Sequence, residues 1–146
     1  MHLTRHADYA LRVLMYLALR PEQSSTIGEI AGAYGISENH LMKVAHRLGT
    51  CGLVETTRGR GGGIRLGVPA EGITVGRVVR EVGEDLNVVE CFDPQTNTCP
   101  LAGPCELHEV LGRALDAFIE VLDHCTIADL VGPRRALMRR LSLGDG

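Results

Sequence analysis

The segment from Thr26 to Gly67 constrains the fold more than any other stretch of this chain. Thr26 with Glu29 three residues on has the pattern of a capping box, opening a short helix that runs through about Tyr34. Gly35 breaks that helix. Ser37 caps a second one, in which Leu41, Val44, Ala45 and Leu48 recur at helical spacing up to a stop near Gly52. Two helices of this size joined by A-Y-G-I-S describe a helix-turn-helix, with the glycine bending the backbone and Ile36 filling the angle. LVETTRG and GGGIRLG then predict two short strands around a glycine- and arginine-rich tip, a β-hairpin wing.

The flanking segments are helical. Leu3, Ala7, Ala10, Leu11, Leu14, Leu17 and Ala18 predict an amphipathic helix over residues 3–20, closed by Pro21. Residues 73–83 predict another helix after a linker at Pro69, and residues 84–104 read as irregular. A long helix follows from about Cys105 to His124. Its stripe of Leu107, Leu111, Ala114, Phe118 and Val121 is broadened by Val110, Leu115, Ala117 and Leu122. So small a domain rarely buries that much on one helix, which points to a homodimer.

Charge is divided along the chain. The net charge of −3 conceals eight Lys/Arg against five Asp/Glu in residues 1–67, and seven against thirteen in residues 68–146. Affinity for nucleic acid depends on a local basic face, so the N-terminal half is the expected DNA-binding half and the acidic half is expected to stay off the duplex. The first turns of the second helix of a helix-turn-helix enter the major groove. Here they carry Ser37, Glu38, Asn39, His40 and Lys43, all able to bond base edges or phosphates. Arg58, Arg60 and Arg65 on the wing are the expected minor-groove or backbone contacts.

The apolar run at the N-terminus is broken by Arg5, His6, Asp8 and Arg12, so it reads as neither a signal peptide nor a membrane span, and the expected compartment is the cytoplasm. Five cysteines there do not suggest a disulfide framework. Cys91, Cys99 and Cys105 lie in ECFDPQTNTCPLAGPCELH, spaced C-x7-C-x5-C, in a loop long enough for three thiolates to converge. Soft thiolates are preferred ligands of iron–sulfur clusters. Structural zinc usually shows paired C-x2-C knuckles and four protein ligands, a pattern absent from this sequence. Three cysteines leave one position to fill: His108 could supply nitrogen, and Asp8 or Glu90 oxygen. Cys51 and Cys125 read as small buried residues.

At these residues the chain resembles the NsrR/IscR family of winged-helix regulators. The resemblance covers roughly residues 1–131 and rests on LTRHADYALRVLMYLA, YGISENHLMKVAHRL, RGRGGGIRLG, the ECFD…C…C segment and LDHCTIADLV. It implies a homodimer with one cluster per subunit, long helices crossing at the interface, and a palindromic operator. It is strongest to the NsrR branch, which implies a repressor with a 4Fe-4S cluster held by Cys91, Cys99 and Cys105. Asp8, reaching over from the other subunit, matches that branch's fourth ligand. Cluster nitrosylation by nitric oxide would then release the operator. The IscR branch implies instead a 2Fe-2S regulator of cluster assembly, with His108 matching its histidine ligand. The C-x7-C spacing is wider than the C-x5-C common in the family.

A third reading, a small redox enzyme or electron carrier, finds no nucleotide-binding glycine motif, catalytic triad or paired acid and base, so the chain is not expected to be an enzyme. The expected class is mainly α with a small β-hairpin, a winged helix-turn-helix plus a long C-terminal dimerisation helix. Residues 1–68 are the expected DNA-binding domain, 69–104 the connecting helix and cluster-binding loop, and 105–146 the dimerisation helix and tail.

Overall fold

A computed structural model describes residues 2–83 and 85–144. It contains α1 (Arg5–Leu19), α2 (Ile27–Tyr34), α3 (Glu38–Thr50), β1 (Val54–Thr57), β2 (Gly63–Leu66), α4 (Val75–Val82), α5 (Glu106–Asp123), α6 (Ile127–Leu130) and α7 (Arg134–Arg140). The fold is mainly helical with one antiparallel hairpin, as the sequence predicts.

Local chemistry sets the boundaries. The Thr4 hydroxyl accepts from the Ala7 amide and starts α1. The Thr26–Glu29 capping box forms: the hydroxyl accepts from the Glu29 amide at 3.1 Å, and the carboxylate accepts from the Thr26 amide at 2.6 Å. Gly35 ends α2 at φ 64°, a left-handed conformation that glycine adopts without strain. Ser37 takes the N-cap position of α3, but its side chain makes no capping bond, which leaves the hydroxyl outward and exposed. In the hairpin, Val54 pairs with Leu66 and Thr57 with Gly63. Ser25 bridges to Ile64, so β2 runs against the entrance to α2. A Cβ on Gly63 would lie 2.5 Å from the Ser25 carbonyl oxygen, so only glycine fits that crossing.

The core is formed where α1 crosses the winged helix. Val13, Leu14 and Leu17 of α1, Ile30 of α2, Leu41, Val44 and Leu48 of α3, and Ile64 of the wing are buried together. Each such side chain contributes about 1.5–3 kcal/mol of transfer free energy. α4 adds Val78 and Val82 to the same core.

Two short helices, α6 and α7, were not expected from the sequence, which offered only a tail after α5. The tail returns because Thr126 bridges to Thr74, the Cys125 carbonyl accepts from the Val75 amide, and Ile127 is fully buried. Arg134 then donates to the Ala18 and Leu19 carbonyls, groups left unpaired at the end of α1. No helix among the described residues is long and apolar enough to cross a membrane.

Candidate nucleic-acid interface and cysteine pocket

Helix α3 has two faces. Leu41, Val44 and Leu48 are buried, while Ser37, Glu38, Asn39, His40 and Lys43 are exposed. That is the division a reading helix needs: one side anchored, the other free for base edges. Glu38 leans back over α2, where a Cβ on Gly28 would lie 3.5 Å from its carboxylate oxygen, and there it faces the positive end of that helix. The His40 ring lies 6.4 Å from that of Tyr9, tying the start of α3 to α1.

The wing presents Arg58 and Arg60 at its exposed tip, and neither has a carboxylate partner among the described residues. Arg65, one strand lower, pairs with Glu55 at 3.2 Å. The Ser24 and Thr57 hydroxyls lie 2.9 Å apart and brace the wing against the segment leading into α2. At the far end of α3, Arg47 donates to the Glu81 carbonyl at 3.0 and 2.7 Å, gripping the last turn of α4. Nothing in the sequence pattern marks Arg47.

The chain leaves α4 at Gly83 and enters the cysteine loop. Cys91 sits in a 3-10 turn, Glu90–Phe92, Cys99 follows an Asn97 side-chain turn, and Cys105 is the residue from which α5 starts. The structure brings Cys91, Cys99, Cys105 and His108 together around one cavity of about 180 Å³. All three thiols are free and half-buried. The Cys91 sulfur lies 3.3 Å from His108 Nδ1, and the Phe92 ring meets that imidazole edge-on at 5.0 Å. Cys105 takes the N-cap position of α5.

Carboxylates shape this loop. Glu90, considered from sequence as an oxygen ligand, instead accepts from both the amide and the hydroxyl of Thr98, closing the loop between Cys91 and Cys99. Those bonds hold its carboxyl below the ordinary carboxylate range. Asp93 is held low in the same way, by the Gln95 amide first and the Thr96 hydroxyl next. Among the described residues, no three His, Cys, Asp or Glu side chains converge on a single point as a lone metal ion requires. Three soft sulfurs and an imidazole lining one cavity fit an iron–sulfur cluster, whose separate irons take separate thiolates.

Asp8 lies elsewhere. Its carboxylate makes a two-bond ion pair with Arg12, at 3.1 and 2.8 Å, on the exposed side of α1. Within one chain the cysteines meet His108 and not Asp8, so ligation by Asp8 requires a second copy. Cys51 and Cys125 lie outside the pocket, each half-buried with its thiol 3.8 Å from a carbonyl, of Glu81 and Thr126 respectively.

Helix α5 buries none of its eighteen residues, and Leu107 and Val121 are 62% and 70% exposed. It meets the cysteine loop through His108 and packs on α4, where Arg80 holds Asp123 with a two-bond ion pair at 2.9 and 2.7 Å.

Residues 3–133 match the model of the Rrf2 family, described as an iron-dependent transcriptional regulator. The chain is 51% identical over 146 residues to the HTH-type transcriptional regulator NsrR of Bacillus subtilis (strain 168), covering 99% of this chain and 100% of that one. It is 49% identical over 138 residues to the regulator of the same name from Geobacillus kaustophilus (strain HTA426), covering 94% of each. Among solved structures, CymR (YrzC), the global cysteine regulator of B. subtilis, superposes with a TM-score of 0.75 at 28% identity, covering 91% of this chain and 98% of that one. The T. potens IscR structure shares the fold, with a TM-score of 0.71 at 24% identity over 91% of this chain and 88% of that one.

Proposed function

The chain belongs to the Rrf2 family of iron-dependent transcriptional regulators, and from that premise we propose that it is a homodimeric, cytoplasmic repressor that releases its operator when nitric oxide attacks a 4Fe-4S cluster. It is a transcription regulator and not an enzyme. The observation that carries the finer reading is the cysteine pocket: three thiols and an imidazole around one cavity, at the end of the helix that the reading helix grips.

Cys91, Cys99 and Cys105 would hold the cluster, with Asp8 of a second copy as the fourth ligand. When bound, the cluster would supply iron open to attack by nitric oxide. The chain's own residues do the rest. With the thiolates engaged, the Glu90–Phe92 turn, the Asn97–Cys99 turn and the start of α5 are tied to one another. The Glu90–Thr98 bonds keep that loop closed. Its upstream end is α4, which Arg47 of α3 grips at Glu81 and which Arg80 ties to α5 at Asp123. A loop that changes shape therefore pulls on the reading helix through α4. In a dimer, two reading helices must stay about 34 Å apart to enter successive major grooves. Ligand loss at Asp8 would also let that carboxylate pair with Arg12, the arrangement seen in the single chain.

A second reading has its own support. The 3.3 Å approach of Cys91 to His108 favours a 2Fe-2S cluster with His108 as fourth ligand, in a regulator of cluster assembly. Absorption and Mössbauer spectra of chain reconstituted anaerobically with iron and sulfide separate the two cluster types. Asp8→Ala and His108→Ala then assign the ligand: the first reading predicts cluster loss in the former alone, the second in the latter alone. Reconstituted chain that carries neither iron nor sulfide contradicts both.

A further inference from the structure

The acidic balance of the C-terminal half is not uniform. Residues 68–130 carry three arginines against twelve acids, whereas residues 131–144 carry four arginines and no acid. Those four all lie on α7. The fold brings this helix back against the DNA-binding half, where Met138 is buried and Arg134 closes the end of α1. Arg134, Arg20 and the wing residue Arg65 line one cavity, so α7 adjoins the base of the wing. It also packs beside Pro21, Glu22 and Gln23, in the segment leading into α2.

Internal stability accounts for only part of the remaining charge. Arg139 and Arg140 in the last turn suit the negative end of the helix. Arg135 sits in the first turn, at the positive end, and faces Arg139 one turn on, a like-charge pair that weakens the helix. All three are exposed, and none has a carboxylate partner among the described residues. Even with Glu22, Glu55 and Glu71 on the same side, the six guanidinium groups of Arg20, Arg65 and α7 leave it net cationic, which matches a polyanion.

We propose that α7 is a second DNA-backbone contact, with Arg135, Arg139 and Arg140 taking phosphates that flank the sequence covered by the reading helix and wing. The proposal rests on the DNA-binding reading above and is independent of the cluster type. Its role is affinity and register, since phosphate contacts carry no direct sequence information. The charge-rich end of the chain thus extends the footprint of the wing.

The test uses the full, cluster-loaded chain and an operator recovered by selection from random-sequence DNA, in two lengths. One duplex spans only the two half-sites; the other adds about one helical turn, roughly 10 bp, on each side. Binding is measured across a salt series for wild type, for Arg135→Ala/Arg139→Ala/Arg140→Ala, and for the matching triple lysine variant. Each lost phosphate contact lowers the slope of log K against log salt by about 0.9. With three contacts on each of the two subunits, the alanine variant should therefore lose about five units of slope, and about a hundredfold or more in affinity, on the long duplex only. Lysine, a point charge that still meets phosphate, should restore most of both. Circular dichroism matching wild type shows that the fold is retained. Three results overturn the proposal: an unchanged slope on the long duplex, an equal loss on both duplexes, or no rescue by lysine. An unchanged slope with tight wild-type binding removes only the α7 contact and leaves its arginines for an acidic protein partner. Failure of wild type to bind either duplex removes the DNA-binding reading as well.

Discussion

Glu90 shows how a single side chain changes meaning once the loop closes. It stands beside Cys91 and could be taken for a ligand, yet its carboxylate is spent on the amide and hydroxyl of Thr98, eight residues on. Because those bonds hold its folded-state pKa low, their contribution is complete above the ordinary carboxylate range and is lost as pH falls through the lowered value. The Thr98 amide resonance should thus titrate with a midpoint below that of an ordinary glutamate; a midpoint at or above it would mean the bond is not formed. Glu90→Ala should leave the helices intact and speed cluster loss under a chelator, and an unchanged rate would show that the loop does not depend on this contact. Cys99→Ser removes a sulfur from the cavity and should yield a folded chain without a stable cluster, measured as iron and sulfide content after reconstitution.

Among the elements, those with several turns of helix were legible in advance. α1, α3 and α5 carry apolar residues at a period long enough to read, and the Thr26–Glu29 box forms as its spacing predicts. α6 and α7 were not legible, because helices of four and seven residues have too few turns to display a period. They are held by tertiary contacts instead, the Thr74–Thr126 bridge and the Arg134 bonds to the end of α1. The three cysteines stood out by spacing, and His108 by lying one turn beyond Cys105. The Arg47 grip on Glu81 depends on where α4 packs and leaves no mark on the sequence. Arg47→Ala should keep the cluster and the fold while shrinking the difference in operator affinity between loaded and cluster-free protein; a full difference would show that α3 and α4 are coupled by another route. On the wing, Arg60→Ala removes one contact from each subunit and should lower the salt slope by about 1.8, and equal slopes for variant and wild type would place the tip away from DNA.

For the whole molecule, the unsatisfied element is α5, an eighteen-residue helix with an apolar stripe and no buried residue in the single chain. The proposed dimer covers it, unites two reading helices on one duplex, and brings Asp8 of one copy toward the cysteines of the other. Leu107→Glu with Val121→Glu should therefore give a monomer by analytical ultracentrifugation. Operator affinity should fall by about two orders of magnitude, since two linked half-sites bind far more tightly than one. A variant that remains dimeric would move the interface elsewhere. The central claim is that cluster state sets DNA affinity through the cysteine loop and α4. The most direct measurement is operator binding by anaerobic, cluster-loaded protein before and after stoichiometric nitric oxide. The account predicts tight binding before and loss of binding after, with Cys99→Ser weak throughout; equal affinity in both states would contradict it.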